Sequence, residues 1–90
     1  MVESKELTIK NKLGLHARAA AMLVKTTNSF QSEVFIAKNG QKVNGKSIMG
    51  VMMLAAAKGS TIKVEATGPD ATQLLEQVER LVDDLFGEGE

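Results

Sequence analysis

The 90-residue chain has no cysteine, tryptophan or tyrosine, and it has only one proline and one histidine. Without cysteine it can form neither a disulfide framework nor a thiolate metal site, and one histidine cannot build a histidine-based metal cluster. Only three phenylalanines and the one histidine offer rings on which nucleic-acid bases could stack. No apolar run approaches the roughly 20 residues that span a bilayer, and the polar start does not resemble a signal peptide. We therefore expect a soluble, cytoplasmic protein with no bound metal, cofactor or nucleic acid and no membrane insertion.

The composition is that of a folding chain, with 43% hydrophobic and 24% charged residues. The length predicts one domain over residues 1–90. The net charge of zero hides an asymmetry, because residues 1–68 hold ten Lys and Arg against four Asp and Glu, while residues 69–90 hold one against seven. A partner that meets the first part of the chain therefore meets a positively charged surface.

Apolar and polar residues alternate in four short stretches, which is the period of half-buried strands. The stretches are KELTIKNK (5–12), SEVFIAK (32–38), QKVN (41–44) and STIKVEAT (60–67). Between the second and third stand Asn39 and Gly40, a pair that predicts a type I′ hairpin turn because both of its central residues need positive φ.

Three other stretches have the helical period. The first covers about residues 17–28 and has an apolar face of Ala20, Leu23, Val24 and Thr27. The second, IMGVMMLAAAK (48–58), lies between Ser47 as N-cap and Gly59 as terminator. The third follows Gly68-Pro69-Asp70 and has an apolar stripe of Ala71, Leu74, Leu75, Val78, Val82 and Leu85. The order β-α-β-β-α-β-α predicts an α+β fold, an open-faced β-sandwich with a four-stranded, mainly antiparallel sheet and three helices on one face.

The lone histidine, His16, falls at the N-cap or first position of the first predicted helix. Free backbone N–H groups and a positive macrodipole make such a helix end an anion site. Gly14 keeps the preceding loop slim, and Arg18 is placed to clamp two phosphate oxygens with its guanidinium. An exposed N-cap with no chemistry is the simpler interpretation of a lone histidine, but these neighbours favour a histidine that becomes phosphorylated.

The second predicted helix has more apolar residues than a helix needs to pack against one face of a sheet. Val51, Leu54 and Ala55 form an arc sufficient for the core. The apolar arc is extended by four further residues, Ile48, Met49, Met52 and Met53. Two interpretations remain open at this point: the extra methionines fill gaps in the core, or they form an exposed and adaptable docking patch.

The stretch GQKVNGKS (40–47) matches the P-loop pattern G-x-x-x-x-G-K-[ST] letter for letter. A P-loop connects a buried parallel strand directly to a helix and wraps the intervening residues around phosphates. Here the same residues are predicted to form a hairpin turn and a short strand. We therefore interpret the match as coincidental.

Two separated motifs, GLHARAA (14–20) and NGKSIMGVMMLAAAKGS (44–60), resemble the HPr family, the histidine-containing phosphocarriers of the bacterial phosphoenolpyruvate:sugar phosphotransferase system. The likeness extends over essentially the whole chain, including the order of its elements. The stretches TIKNKLGLHAR and KGSTIKVEATGPD are also similar to the nitrogen-related paralogue of HPr.

The resemblance implies a role for each candidate residue. His16 would accept a phosphoryl group on Nδ1 from phosphorylated Enzyme I and pass it to an Enzyme IIA-type domain. Arg18 matches the active-site arginine of the family, and Ser47 matches the regulatory serine phosphorylated by HPr kinase/phosphorylase. Docking to Enzyme I and its counterparts falls to Ile48, Met49 and Met52. The protein would then be a monomeric substrate of a phosphorelay and not an enzyme.

One residue departs from the family pattern, since Ala19 stands where HPr proteins usually have proline. Proline in the first turn stiffens the start of a helix, whereas alanine leaves every backbone N–H available. We expect the function to survive this change with a less rigid start of the helix. The departure also suits an alternative, a regulatory member of the same fold that acts mainly by protein–protein binding.

Overall fold

A computed structural model of the chain describes residues 2–87. The ends of the predicted 1–90 domain lie outside these residues, as do two acids of the acidic segment, Glu88 and Glu90. The described part contains four strands and three α-helices in the predicted order, followed by a 3₁₀ turn over Leu85–Gly87. They are β1 (Val2–Thr8), α1 (Ala17–Thr27), β2 (Glu33–Lys38), β3 (Gln41–Asn44), α2 (Ile48–Met53), β4 (Thr61–Thr67) and α3 (Ala71–Asp83).

The four strands form one sheet in the order β1-β4-β2-β3, and every neighbouring pair is antiparallel. In the β2–β3 hairpin, Asn39 and Gly40 have φ values of 50° and 84°, as the predicted type I′ turn requires. The predicted bounds of the first strand were wrong at both ends, because β1 begins at Val2 and ends at Thr8. Its pairing with β4 runs from Val2 opposite Thr67 to Thr8 opposite Thr61, and beyond it the chain turns toward α1.

Only one face of the sheet is buried. The residues that alternate inward on the strands are buried beneath the helices, among them Leu7, Val34, Ile36, Ile62, Val64 and Ala66. Residues between them, such as Phe35 and Lys63, lie on the opposite face, which is open to solvent. Each fully buried Val or Ile contributes about 1.5–3 kcal/mol through burial of its side chain. The open-faced sandwich with its helices on one side is confirmed.

The predicted stripe of α3 is confirmed up to Val82, but its last member was wrong. The helix ends at Asp83, and both Leu85 and Phe86 have left-handed backbone conformations with φ of 56° and 53°. This reversal leaves Leu85 half-buried and turns Phe86 into the core, where it is 1% exposed. The helical period cannot anticipate a residue that reaches the core after the helix has ended.

The second helix is shorter than predicted, because α2 ends at Met53 and not at residue 58. The chain reverses at Ala55, which has a φ of 49°. As a result Ala55 is exposed, although it was assigned to the core arc, and Ala56 is buried in its place. The Ala56 carbonyl accepts a hydrogen bond of 2.9 Å from Leu15 N–H. This tertiary contact overrides the high helix propensity of the alanine run.

The two oppositely charged parts of the sequence meet in the fold. Lys5 on β1 pairs with Glu79 on α3 at 2.7 Å, and Lys10 pairs with Asp83 at 2.6 Å. All four side chains are substantially exposed, so solvent screens each pair and its contribution to stability is small. No helix within residues 2–87 is long and apolar enough to cross a membrane.

The carboxylate of Asp70 ties the start of α3 to the connection between α1 and β2. It accepts hydrogen bonds from Gln31 N–H at 2.9 Å, from Ser32 N–H at 2.9 Å and from the Ser32 hydroxyl at 2.5 Å. Ser32 is only 1% exposed. The Ser32 hydroxyl and the backbone amides stabilise the carboxylate, which lowers the pKa of Asp70 from its ordinary value.

We expect Asp70→Asn to lower the urea midpoint of unfolding at pH 7. Because the folded-state pKa lies below the unfolded-state value, the carboxylate stabilises the fold above that unfolded value. This contribution disappears as the pH falls through the folded-state pKa. The difference in urea midpoint between the wild type and Asp70→Asn should therefore shrink between pH 5 and pH 2. Asp84→Asn, at the other end of α3, is the matched control and should change the midpoint little; a difference for Asp70→Asn that is independent of pH would contradict the assignment.

Candidate functional site

His16 is the N-cap of α1. Its backbone is extended, with φ of −75° and ψ of 179°, and its carbonyl accepts the first intrahelical hydrogen bond from Ala20 N–H at 2.8 Å. Its half-buried side chain makes no capping hydrogen bond to the helix. The amides of residues 17–19 precede the first intrahelical bond, so they lie at the positive end of the helix beside the imidazole.

The first turn of α1 carries a cation and no acid. Arg18 is exposed, so its guanidinium lies in solvent at the same helix end as His16. Ala19 is fully buried and its methyl group belongs to the core, while its N–H remains among the amides ahead of the first intrahelical bond. The helix end thus combines an imidazole, a guanidinium and backbone donors, which suits an anion.

Gly14 is required by packing inside the protein. It is buried and has a φ of +67°, and a Cβ added there would lie 2.4 Å from the Ala56 carbonyl oxygen and 2.9 Å from Ala57 Cα. Asn11 Nδ2 donates to the Gly14 carbonyl at 2.8 Å and closes the turn. The loop before His16 therefore rests directly on the backbone that follows α2.

Ser47 is the N-cap of α2, as predicted. Its Oγ accepts a hydrogen bond of 3.1 Å from Gly50 N–H, and its carbonyl accepts one of 3.0 Å from Val51 N–H. The preceding turn is anchored on both sides: Gly45 N–H donates to the Val34 carbonyl at 2.8 Å, and the buried Thr27 hydroxyl donates to the Gly45 carbonyl at 2.8 Å. The position of Ser47 is set by both α1 and β2.

The residues that match a P-loop do not form one. Gly40 belongs to the hairpin turn, Gln41–Asn44 is strand β3, and β3 is antiparallel to β2. The Lys46 ammonium donates to the Phe30 carbonyl at 2.9 Å. The match to the nucleotide-binding pattern is therefore coincidental, as interpreted from the sequence.

The extra apolar residues of α2 are exposed. We call Ile48, Met49, Met52 and Met53 the apolar patch; their side chains are 43%, 75%, 40% and 66% exposed. The same helix buries Val51, and Leu54 behind it is also buried, so the core does not use the methionines as gap fillers. Of the two interpretations left open by the sequence, core filling was wrong.

Leu13 is a further exposed apolar residue that the sequence did not single out. It is 66% exposed and precedes Gly14 in the loop that rests on residues 56 and 57. A single leucine in a polar loop carries no periodic signal, so its position became evident only from the structure.

His16 and the apolar patch lie on neighbouring elements, because α1 packs against α2 and the loop before His16 is hydrogen-bonded to Ala56. Among residues 2–87 there is no group of three or more His, Asp or Glu side chains arranged to hold a metal ion.

Comparison with known proteins gives a consistent result. The family model described as "PTS HPr component phosphorylation site" matches residues 3–84. The chain is 51% identical over 84 residues to the phosphocarrier protein HPr of Neisseria meningitidis serogroup A. The aligned residues cover 93% of this chain and 94% of that protein.

Solved structures agree with the sequence comparison. The fold is similar to the crystal structure of HPr-C-His from Thermoanaerobacter tengcongensis, with a TM-score of 0.92 and 41% identity over 96% of this chain and 97% of that chain. It is also similar to the crystal structure of an HPr dimer from the same organism, with a TM-score of 0.78 and 43% identity over 91% of this chain and 94% of that chain.

The close approach of Gly14 to residues 56 and 57 predicts a specific sensitivity to substitution. Gly40→Ala is the matched control, because Gly40 also has positive φ but a Cβ there meets nothing within 4 Å. We expect Gly40→Ala to cost about 1 kcal/mol of stability, the cost of a left-handed alanine. Gly14→Ala should cost about 3 kcal/mol and shift the amide NMR signals of residues 13–17 and 54–58. Equal losses of stability in urea unfolding would contradict the close packing of Gly14 against residues 56 and 57.

Proposed function

The chain belongs to the HPr family of phosphocarrier proteins of the phosphotransferase system, and from this membership we propose that it carries a phosphoryl group on His16. The group is accepted from phosphorylated Enzyme I and passed to Enzyme IIA-type domains in sugar uptake and its regulation. The observation that carries the proposal is the position of His16 as the N-cap of α1, beside the backbone amides that precede the first intrahelical hydrogen bond.

The geometry at this helix end suits phosphoryl transfer. The Nδ1 lone pair of His16 attacks phosphorus, a P–N bond forms at His16, and the bond from phosphorus to the donor group of Enzyme I breaks. Charge in the loose transition state lies mainly on the three peripheral oxygens. The amides at the start of α1 and the Arg18 guanidinium are donors at the same helix end and stabilise that charge.

The phosphoryl group also completes the helix cap. A capping side chain presents an oxygen to the N–H groups of the second and third helical residues, which here are Arg18 and Ala19. Imidazole has no oxygen to present, but an oxygen on the phosphorylated Nδ1 supplies one. Because Ala19 has an N–H that proline lacks, the departure from the family pattern leaves all of these donors in place.

The apolar patch is the proposed docking surface, with Ile48, Met49 and Met52 as its contact residues. Methionine side chains are flexible and repack against differently shaped surfaces, which suits a carrier that binds Enzyme I and Enzyme IIA-type domains in turn. The protein acts as a substrate of both partners and has no turnover of its own. We propose that it works as a cytoplasmic monomer of one domain.

Ser47 is the proposed site of regulation by HPr kinase/phosphorylase. A phosphate there adds about −1.5 to −2 charges at the start of α2, where the macrodipole tolerates it. The same charge stands next to Ile48 in the apolar patch. Phosphorylation would therefore disturb association with Enzyme I more than it disturbs folding.

Phosphorylation of His16 is tested by incubating the protein with phosphoenolpyruvate, Mg²⁺ and Enzyme I. We expect an acid-labile mass increase of one HPO₃ unit that is lost in His16→Ala. Ser47→Ala is the control and should keep the adduct, because only the histidine carries the phosphoryl group. Absence of the adduct from the wild type, with Enzyme I itself phosphorylated, would favour the alternative of a regulatory binding protein.

The effect of charge at Ser47 is tested with Ser47→Asp. Asparagine caps a helix as well as aspartate does but adds no charge, so Ser47→Asn is the matched control. We expect both variants to unfold at a similar temperature, and Ser47→Asp to be phosphorylated by Enzyme I about tenfold more slowly, with the difference decreasing as salt is added. Equal rates for the two variants would show that charge at this position does not govern docking.

A further inference from the structure

Lys38, the last residue of β2, bonds to the end of α2 from outside the helix. Its ammonium donates to the Leu54 carbonyl at 3.2 Å and to the Ala55 carbonyl at 3.2 Å. Carbonyls at the C-terminal end of a helix carry the negative end of the macrodipole, so a cation that reaches them stabilises that end. Nothing in the local sequence around residue 38 indicates this partner.

Lys38 holds the backbone of residues 54–57, which follows α2 and belongs to no helix or strand; we call it the exit segment. The helix before it has only six residues, which is too short to be stable without tertiary contacts. Ala55 adopts a left-handed conformation, with φ of 49°, that alanine disfavours. The two hydrogen bonds from Lys38 offset this backbone cost.

The exit segment also supports the loop before His16. The Ala56 carbonyl accepts from Leu15 N–H at 2.9 Å, and the backbone of residues 56 and 57 lies against Gly14. Leu15 is the immediate neighbour of His16. The exit segment is therefore hydrogen-bonded to the loop before His16, and it is continuous in the chain with the apolar patch of α2.

We propose that Lys38 is a positioning residue for phosphoryl transfer: by holding the exit segment, it sets the apolar patch and His16 in one fixed arrangement that a partner binds without reordering. This inference rests on the proposed function of His16. If the patch were disordered, ordering it on binding would weaken the affinity for the partner. A small displacement of the reacting atom would in addition lower the rate of transfer. Lys38 touches neither the phosphoryl group nor, in this proposal, the partner.

The test compares Lys38→Met with Lys42→Met as substrates of Enzyme I. Both changes remove one positive charge and keep an unbranched side chain, but Lys42 pairs with Glu65 on the open face of the sheet, at 2.9 Å. We expect Lys38→Met to lower kcat/KM about fivefold, mainly through a higher KM, and Lys42→Met to stay within about twofold of the wild type. Lys38→Arg should retain most of the activity, because guanidinium can donate to two carbonyls.

A second variant separates positioning from a general loss of stability. Glycine tolerates the left-handed conformation of residue 55, so Lys38→Met combined with Ala55→Gly should recover at least half of the lost kcat/KM. Amide hydrogen exchange should show faster exchange at Leu15 in Lys38→Met, with the core amide of Val64 unchanged, and a return toward the wild-type rate in the double variant.

Equal kcat/KM for Lys38→Met and the wild type, or an equal loss in Lys38→Met and Lys42→Met, would overturn the inference while leaving the role of His16 intact. Failure of Enzyme I to phosphorylate the wild type would overturn the proposed function instead. Faster exchange at both Leu15 and Val64 would show that Lys38 acts only on overall stability, which also overturns the inference.

Discussion

The hydrogen bond from Leu15 N–H to the Ala56 carbonyl joins the two halves of the site, and much of the local structure depends on it. At this hydrogen bond the backbone of the loop before His16 lies so close to Ala56 that position 14 must be glycine, since a Cβ there would overlap the Ala56 carbonyl oxygen. The same contact requires the chain to leave α2 after Met53 and to reverse at Ala55. One backbone contact therefore explains the short helix, the buried glycine and the closeness of His16 to α2.

The two helix N-termini of the site differ in a way that matches their proposed roles. At α2 the cap is complete, because the Ser47 hydroxyl accepts from Gly50 N–H. At α1 the cap residue is His16, whose side chain does not accept from the helix. Phosphorylation would supply the missing acceptor at the first helix and would only add charge at the second. The same helix-end physics thus suits transfer at His16 and regulation at Ser47.

The separation of charge along the sequence becomes an organised feature of the fold. Glu79 and Asp83 of α3 pair with Lys5 of β1 and with Lys10 in the segment after it. Another lysine, Lys38, uses its charge on backbone carbonyls at the end of α2. The lysines of the basic part of the sequence therefore do not form one uniform surface, because individual lysines bind different partners in the fold.

The sequence by itself determined the order of the elements, the buried faces of the strands and the N-caps of α1 and α2, and it predicted the residues of the candidate site. These features follow from local periodicity and from the chemistry of single residue types, which act over a few positions. Only the tertiary structure decided where α2 ends, why Gly14 is glycine, that Phe86 and not Leu85 fills the core, and which carbonyls Lys38 holds. The physical reason is that each of these depends on a partner distant in the chain, and propensity does not report on distant partners.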